Sequence, residues 1–154
     1  GYCLVSTANR EIPNVGGRRM LSILLGAASD NARANESQKL LNWGYTAYDA
    51  VKLFDAGAAM EEAQIWKGSQ GTLKVGREGA TVVTVPSGSA GKITTQVVRT
   101  DPLMAPIAKG QQVGTLKVLV ADQVAAELPI FALESVTDGG FFRRMWDAIR
   151  LWIR

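Results

Sequence analysis

The chain has 154 residues, of which 47% are hydrophobic and 20% are charged, an ordinary globular composition. This length fits one ordinary domain or two small ones. The sequence contains no histidine and one cysteine. A histidine-based catalytic triad, a His/Cys zinc site and an intrachain disulfide are therefore excluded within this chain, and we predict neither a metal site nor a cofactor.

The net charge of +3 comes from 17 basic and 14 acidic residues. Residues 141–154 hold four arginines and one aspartate, so this segment carries the whole excess and the preceding residues balance to zero. A nucleic-acid-binding domain spreads its basic residues over one face. We therefore predict no nucleic-acid partner and a local anionic partner for the terminal segment. Because the first residue is glycine, we expect a longer parent protein.

The first part of the chain predicts two adjacent antiparallel strands followed by a helix. Residues 2–8 and 20–26 are rich in branched residues, and Pro, Asn and Gly between them favour a turn. From Asn31 to Val51 apolar residues recur at helical spacing, with Asp30 or Asn31 as the candidate cap.

The middle of the chain predicts an all-β region. Residues 57–64 are ambiguous, and the strands that follow are separated by Gly, Pro and Asp turn signals. A hairpin is predicted at residues 121–123. This spacing is typical of a small β-sandwich or barrel. The predicted strands are 72–76, 80–85, 92–99, 113–120 and 124–134.

The terminal segment predicts an amphipathic helix after a glycine hinge at residues 138–140. One face is aromatic and aliphatic, and the other carries arginines. Fourteen residues span roughly 21 Å as a helix, which is too short to cross a bilayer core of about 30 Å. We predict a reversible anchor at an anionic membrane surface. The alternative is that the apolar face docks on the β-region or on a partner chain. The predicted anchor residues are Phe141, Phe142, Arg143, Arg144, Met145, Trp146, Ile149, Arg150, Trp152, Ile153 and Arg154.

An ordered series of short segments resembles the C-terminal half of low-molecular-mass penicillin-binding proteins, the serine-type D-alanyl-D-alanine carboxypeptidases. The resemblance covers essentially all of the chain. The segments are Gly1-Tyr2-Cys3-Leu4-Val5-Ser6-Thr7-Ala8, Arg19-Met20-Leu21-Ser22-Ile23-Leu24-Leu25-Gly26, Arg33 with Glu36-Ser37, Leu40-Leu41-Asn42-Trp43-Gly44-Tyr45, Leu103-Met104-Ala105-Pro106-Ile107, Val113-Gly114-Thr115-Leu116 and Gly140-Phe141-Phe142.

The resemblance implies an α+β fold in three parts. Residues 1–52 are then the last two antiparallel strands and last helix of a penicillin-binding transpeptidase-like catalytic domain. Residues 53–137 are a small all-β sandwich domain, and residues 138–154 are the C-terminal amphipathic helix that anchors the protein. The implied location is the periplasmic face of the bacterial cytoplasmic membrane, as a peripheral protein of cell-wall synthesis.

The implied activity is removal of the terminal D-Ala from peptidoglycan pentapeptides through an acyl-enzyme. This chemistry needs Ser-x-x-Lys, Ser-x-Asn and Lys-Thr-Gly motifs. In family order all three precede Gly1, so we predict that this chain alone is inactive. An alternative is a non-catalytic pedestal and membrane adaptor that contacts lipid or cell-wall synthesis partners.

Two literal motif matches have simpler interpretations. Ser89-Ala90-Gly91-Lys92 fits Ser-x-x-Lys but lies in a glycine-rich turn, where no buried helix can place lysine beneath serine. Ser29-Asp30-Asn31 fits Ser-x-Asn, but it follows the expected place of Lys-Thr-Gly, so we interpret it as a helix N-cap cluster.

Arg33 is the one substrate-binding candidate. The resemblance implies that it binds the terminal carboxylate of the substrate, which suits the planar fork of a guanidinium. The alternative is a solvated arginine in the first turn of a helix.

Strands cut from a larger sheet would leave an apolar face and an unpaired edge. We expect Tyr2, Leu4, Leu21, Ile23 and Leu25 to be exposed in this chain. Residues 1–26 would then be covered by the missing half of the protein or by self-association across the strand edge. Cys3 is predicted to be a small buried hydrophobe.

Overall fold

The computed structural model describes residues 1–140, which form ten strands and one α-helix. The described part is therefore mostly β structure with one helix, and the predicted terminal helix falls outside it from residue 141 onward. The elements are β1 (Tyr2–Ile12), β2 (Gly16–Ala27), α1 (Asp30–Ala47), β3 (Tyr48–Phe54), β4 (Ala59–Trp66), β5 (Thr72–Gly76), β6 (Thr81–Pro86), β7 (Ile93–Arg99), β8 (Leu103–Met104), β9 (Gln112–Val120) and β10 (Gln123–Ala132).

The chain divides into two compact units. The first contains Gly1–Lys52 and Val82–Lys92. The second contains Leu53–Thr81 and the chain from Ile93 onward.

In the first unit, β1 and β2 form a long antiparallel hairpin, which confirms the two predicted strands and extends both. The tight turn has Asn14 and Gly16 at positive φ, a conformation that asparagine tolerates and glycine adopts without penalty. Residues equidistant from Asn14 face each other, so Ser6 pairs with Ser22 and Arg10 with Arg18.

Helix α1 begins at Asp30, with the Ser29 hydroxyl accepting from the Ala32 N–H at 3.1 Å. The capping residue is thus Ser29, one position before the two candidates. The predicted end at Val51 was wrong, because the helix stops at Ala47 and the next residues form β3, which pairs with β6. Aromatic and β-branched side chains there favour a strand once a partner strand is present.

Gly44 explains how closely α1 approaches the hairpin. A Cβ at this position would lie 2.9 Å from the Met20 sulfur. Glycine lowers helix propensity by about 1 kcal/mol. The close contact between α1 and β2 is what this glycine permits.

The second unit is built on a six-stranded sheet in the order β7-β9-β10-β5-β4-β8, in which β8 runs parallel to β4 and the other pairs are antiparallel. The predicted strands 72–76, 80–85, 92–99, 113–120 and 124–134 are confirmed to within two residues at each end, and residues 57–64 fall mostly in β4. The predicted hairpin is present, with Ala121 and Asp122 both at positive φ.

Alternate side chains of the central strands form the core of this unit. Leu73 and Val75 of β5, Leu116 and Val118 of β9, and Ile130 of β10 are each at most 1% exposed. Period-two burial is what a strand with one core-facing side requires.

The hairpin of the first unit presents an apolar face to solvent. Val5 is 64% exposed and its cross-strand neighbour Ile23 is 58% exposed, with Leu21 and Leu25 at 60% and 74% on the same face. The expectation for Leu4 was wrong, because Leu4 is half-buried.

The prediction that Cys3 is buried was also wrong, because Cys3 is exposed and unbridged. Cys3 lies at the register shift between Tyr2 and Leu4, outside the regular pairing of β1 with β2. Its apolar sequence neighbours therefore did not predict its burial.

Candidate functional site

Arg33 lies in the first turn of α1, beside the start of β1. Its guanidinium is ion-paired with Asp30 and donates a hydrogen bond to the Cys3 carbonyl oxygen at 3.3 Å. Its carbon lies 5.8 Å from the centroid of the Tyr2 ring. The side chain is 36% exposed. Arg33 is thus held in place from several sides and keeps one part of its fork open to solvent.

The arrangement around Arg33 has consequences for carboxylate binding. A guanidinium has five N–H donors, and the contacts with Asp30 and Cys3 leave others available. An incoming carboxylate would share the cation with Asp30, because both need the same fork. The carboxylate-binding role assigned by resemblance stays a prediction, and the ion pair with Asp30 was not foreseen.

The literal Ser-x-x-Lys match is a turn, as predicted. Residues 90–92 form one 3₁₀ turn, in which the Lys92 N–H donates to the Ser89 carbonyl oxygen at 2.9 Å. The Ser89 N–H donates to Pro86 at 3.0 Å. Lys92 is exposed. The segment has neither the buried helix nor the stacked lysine that a serine nucleophile of this kind needs.

The literal Ser-x-Asn match is the start of α1, which confirms its interpretation as a cap cluster. Ser29 is occupied by capping, and Asp30 is paired with Arg33.

Three serine hydroxyls meet between the hairpin and α1. Ser6 contacts Ser22 at 2.9 Å, and Ser37 contacts both at 2.5 Å. Ser22 and Ser37 are each 2% exposed. No acidic or basic side chain is hydrogen-bonded to this trio within the described part of the chain, so we interpret it as structural. The sequence offered a signal for Ser6 and Ser22 only, since they are equidistant from the turn.

A second cluster that sequence analysis missed lies nearer the hairpin turn. The guanidinium carbons of Arg10 and Arg18 lie 4.2 Å and 5.7 Å from the centroid of the Tyr45 ring. The Tyr45 hydroxyl donates to the carbonyl oxygens of Ala8 and Arg18 at 2.8 Å each. Two cross-strand arginines and one helix tyrosine thus form a basic cluster, which we call the Arg10–Arg18 pair.

The second unit has a cleft of about 730 Å³ beside the ends of β7 and β9. Among the described residues that line this cleft, Arg99 is the only charged one. Arg99 is paired with Glu61 at 3.2 Å and with Asp101, and its side chain is 16% exposed. Because both carboxylates already occupy this cation, the cleft offers no unsatisfied charge to a ligand.

The predicted membrane-anchor residues 141–154 lie outside the described residues. Within residues 1–140, no helix is long and apolar enough to cross a membrane. Across the same residues, no three His, Cys, Asp or Glu side chains come together as a metal would require.

Comparisons with known proteins relate this chain to D-alanyl-D-alanine carboxypeptidases. Residues 48–138 match the family described as penicillin-binding protein 5, C-terminal domain. The chain is 34% identical over 152 residues to the D-alanyl-D-alanine carboxypeptidase DacC of Escherichia coli, covering 98% of this chain and 37% of that protein. It is 26% identical over 155 residues to DacA of Haemophilus influenzae, covering 100% of this chain and 38% of that protein.

Solved structures agree with these matches. Penicillin-binding protein 5 from Haemophilus influenzae superposes with a TM-score of 0.79 at 27% identity, over 90% of this chain and 39% of that chain. The carboxypeptidase DacD from Francisella tularensis gives a TM-score of 0.60 at 31% identity, over 90% of this chain and 33% of that chain.

The chain therefore spans less than two fifths of the length of these relatives. It is related to D-alanyl-D-alanine carboxypeptidases, and its residues 48–138 match the C-terminal domain. The sequence match, the mostly β fold and the superposition agree, and the chain belongs to the penicillin-binding protein 5 C-terminal domain family.

Proposed function

We propose that this chain is the C-terminal portion of a serine-type D-Ala-D-Ala carboxypeptidase, which removes the terminal D-Ala of peptidoglycan pentapeptides through an acyl-enzyme. The observation that carries the proposal is the 34% identity to such a carboxypeptidase over 98% of the chain. The parent protein would act at the periplasmic face of the bacterial cytoplasmic membrane.

The proposed division of labour follows the three sequence regions. Residues 1–52 belong to the catalytic domain, residues 53–137 form an all-β sandwich that supports it, and residues 138–154 anchor the protein. The start of the family match at residue 48 supports this division, and Gly1–Lys52 fall in the first compact unit, which also takes in Val82–Lys92.

The chain alone should be inactive, because Ser89 and Lys92 lie in a turn without the geometry of a nucleophile and its base. The test is incubation of the pure chain with labelled penicillin, followed by denaturing electrophoresis. We expect no covalent band, whereas a full-length relative run alongside should be labelled. A band on the chain, lost in Ser89→Ala, would overturn the proposal.

Arg33 is the proposed site for the substrate carboxylate in the complete protein. Arg33→Gln should raise KM for a D-Ala-D-Ala peptide by at least tenfold with a smaller effect on kcat, since one charge-assisted hydrogen bond contributes about 1.5–3 kcal/mol. Arg19→Gln, at an exposed arginine on β2, is the matched control. An unchanged KM in Arg33→Gln would assign Arg33 to structure alone.

The second candidate function is a non-catalytic membrane adaptor, favoured by the concentration of the net charge in residues 141–154. Each arginine near an anionic surface contributes about 1 kcal/mol. Changing Arg143, Arg144, Arg150 and Arg154 to Gln should therefore weaken binding to anionic vesicles by about 100-fold or more in co-sedimentation.

The control changes four exposed cations elsewhere, Arg19, Lys39, Lys92 and Lys109, to Gln. It alters the net charge equally and should keep most of the binding. Equal loss in both variants would mean that overall charge, and not the terminal segment, attracts the membrane.

A further inference from the structure

The Arg10–Arg18 pair holds two positive charges on one face of the hairpin. Arg10 and Arg18 are direct cross-strand partners, and both extend over the same ring of Tyr45. Like charges directly opposite each other destabilise an antiparallel pair. Cation–π contacts with Tyr45 offset part of this cost.

Neither arginine forms an ion pair with a carboxylate among the residues that the structure describes. Glu11 follows Arg10 in sequence, but its side chain lies on the opposite face of the hairpin. There it approaches Gly17, where an added Cβ would lie 3.2 Å from the Glu11 Oε1. Asp49 instead accepts hydrogen bonds from the Ser87 hydroxyl and the Gly88 N–H.

The existing hydrogen bonds of the pair go to neutral acceptors. Arg10 donates through Nη2 to the Asn42 Oδ1 at 2.6 Å, and Arg18 donates through Nη1 to the Tyr48 carbonyl oxygen at 2.8 Å. The Nη2 of Arg18 is buried and has no hydrogen-bond partner. A buried charged donor without an acceptor is destabilising. The cluster is therefore electrostatically incomplete as it stands.

We propose that the Arg10–Arg18 pair is a binding site for a phosphate dianion, with Tyr45 as its platform. Two guanidiniums carry two charges, which a phosphate dianion neutralises and a single carboxylate does not. Their planar forks suit the oxygens of a phosphate. Arg10 is exposed, so the ligand would enter from its side, and contact with the buried Arg18 Nη2 would require a side-chain shift.

The test uses the full 154-residue chain, labelled with ¹⁵N and ¹³C. Inorganic phosphate is titrated at constant ionic strength, with acetate and chloride as comparison anions, while the Tyr45 ring and the arginine Nε–Hε signals are followed. We expect saturable shifts with phosphate and at least tenfold weaker binding of acetate. Equal responses to all three anions, or no saturable shift, would overturn the proposal.

The variants separate the pair from general charge. Arg10→Gln removes an exposed member and should weaken phosphate binding at least tenfold, and Arg18→Gln should do the same. Arg19→Gln, on the opposite face of the same strand, loses the same charge and should bind as before. The amide spectrum of each variant reports whether it is folded. If Arg18→Gln does not fold, Arg10→Gln against Arg19→Gln still decides.

The source of the phosphate is resolved with vesicles. Phosphatidic acid in phosphatidylcholine is compared with phosphatidylcholine alone, for the unchanged chain and for Arg10→Gln. Weaker binding of Arg10→Gln to the phosphatidic acid vesicles, with Arg19→Gln unchanged, identifies a lipid headgroup. Equal vesicle binding together with loss of the phosphate shifts identifies a soluble phosphate. Unchanged behaviour in both assays refutes the site.

Discussion

The second compact unit and residues 1–52 of the first unit bury very different side chains. In the second unit, aliphatic residues such as Leu73, Leu116 and Ile130 are almost completely inaccessible. Within residues 1–52 of the first unit, the buried positions are Ser22, Ser37 and Gly44. The second unit thus has an apolar core of its own, whereas the hairpin and α1 meet through hydroxyl groups and a glycine.

Several large apolar side chains of the hairpin lie on its outer face, where Leu21 and Ile23 are 60% and 58% exposed. A stable domain does not normally leave such a contiguous face to solvent. The second unit therefore has a stabilising core of its own, whereas the hairpin of the first unit presents an apolar face that another protein surface can cover.

The largest expected effect is in the second unit. Leu116→Ala removes a side chain that is 1% exposed in the central strand β9. Loss of buried methyl groups and the cavity left behind should lower the free energy of unfolding by about 2–5 kcal/mol in denaturant titration. Val124→Ala, at a position that is 53% exposed in the neighbouring strand, should cost less than about 1 kcal/mol. Similar losses of unfolding free energy in both variants would contradict an apolar core within this unit.

A substitution on the outer face of the hairpin should have little effect on stability and a large effect on self-association. Ile23→Thr keeps a β-branched residue and should change the free energy of unfolding by less than about 1 kcal/mol. It should weaken self-association by about tenfold or more, since burying one large apolar side chain contributes about 1.5–3 kcal/mol. Sedimentation velocity over a concentration series measures this, with Thr94→Ala on exposed β7 as the control. If the chain without substitutions is monomeric at every concentration, self-association does not cover this face.

The polar contact between α1 and the hairpin can be tested by removing one of its hydroxyl groups. Ser37→Ala removes the hydroxyl that contacts both Ser6 and Ser22. The free energy of unfolding should fall by about 1–2 kcal/mol, because the buried hydroxyl of Ser22 and the half-buried hydroxyl of Ser6 each lose a partner. Gln38→Ala changes an exposed neighbour on the same helix and should be neutral. A neutral Ser37→Ala would mean that the trio contributes nothing to holding α1.

The smallest expected effect is at the start of α1. Ser29→Ala removes the hydroxyl that accepts from the Ala32 N–H and should cost about 1 kcal/mol. Ser29→Asp retains a capping oxygen and should stay near the original stability. Thermal unfolding of the two variants side by side measures the difference, and equal melting temperatures would contradict capping by Ser29.

Local sequence patterns predicted much of the second unit. Strand β5 was predicted at its observed bounds, and the hairpin between β9 and β10 was predicted at residues 121–123. These elements depend on alternation and turn residues, which are visible over a few positions. The end of α1 was missed because Tyr48 and Val51 continue its helical spacing while actually belonging to β3, whose partner β6 is more than thirty residues away.

Several features of the first unit could not be predicted from local sequence. Cys3 has apolar neighbours in sequence, so burial was expected, but which face of a strand is covered depends on what packs there. The Arg10–Arg18 pair required knowing that the hairpin turns about Asn14 and that Tyr45 reaches both strands. The pairing of Arg33 with Asp30 depended on the helix beginning one residue earlier than its candidate start.

The three serine hydroxyls between the hairpin and α1 close a ring in which each oxygen touches the other two. Such a ring can donate its protons clockwise or anticlockwise without moving a heavy atom, so it satisfies itself without water. Sliding α1 along the hairpin by a single position would set hydroxyls against aliphatic carbons and break the ring in both directions. The three hydroxyls contribute little to stability, but their hydrogen bonds are compatible with only one position of α1 on the hairpin.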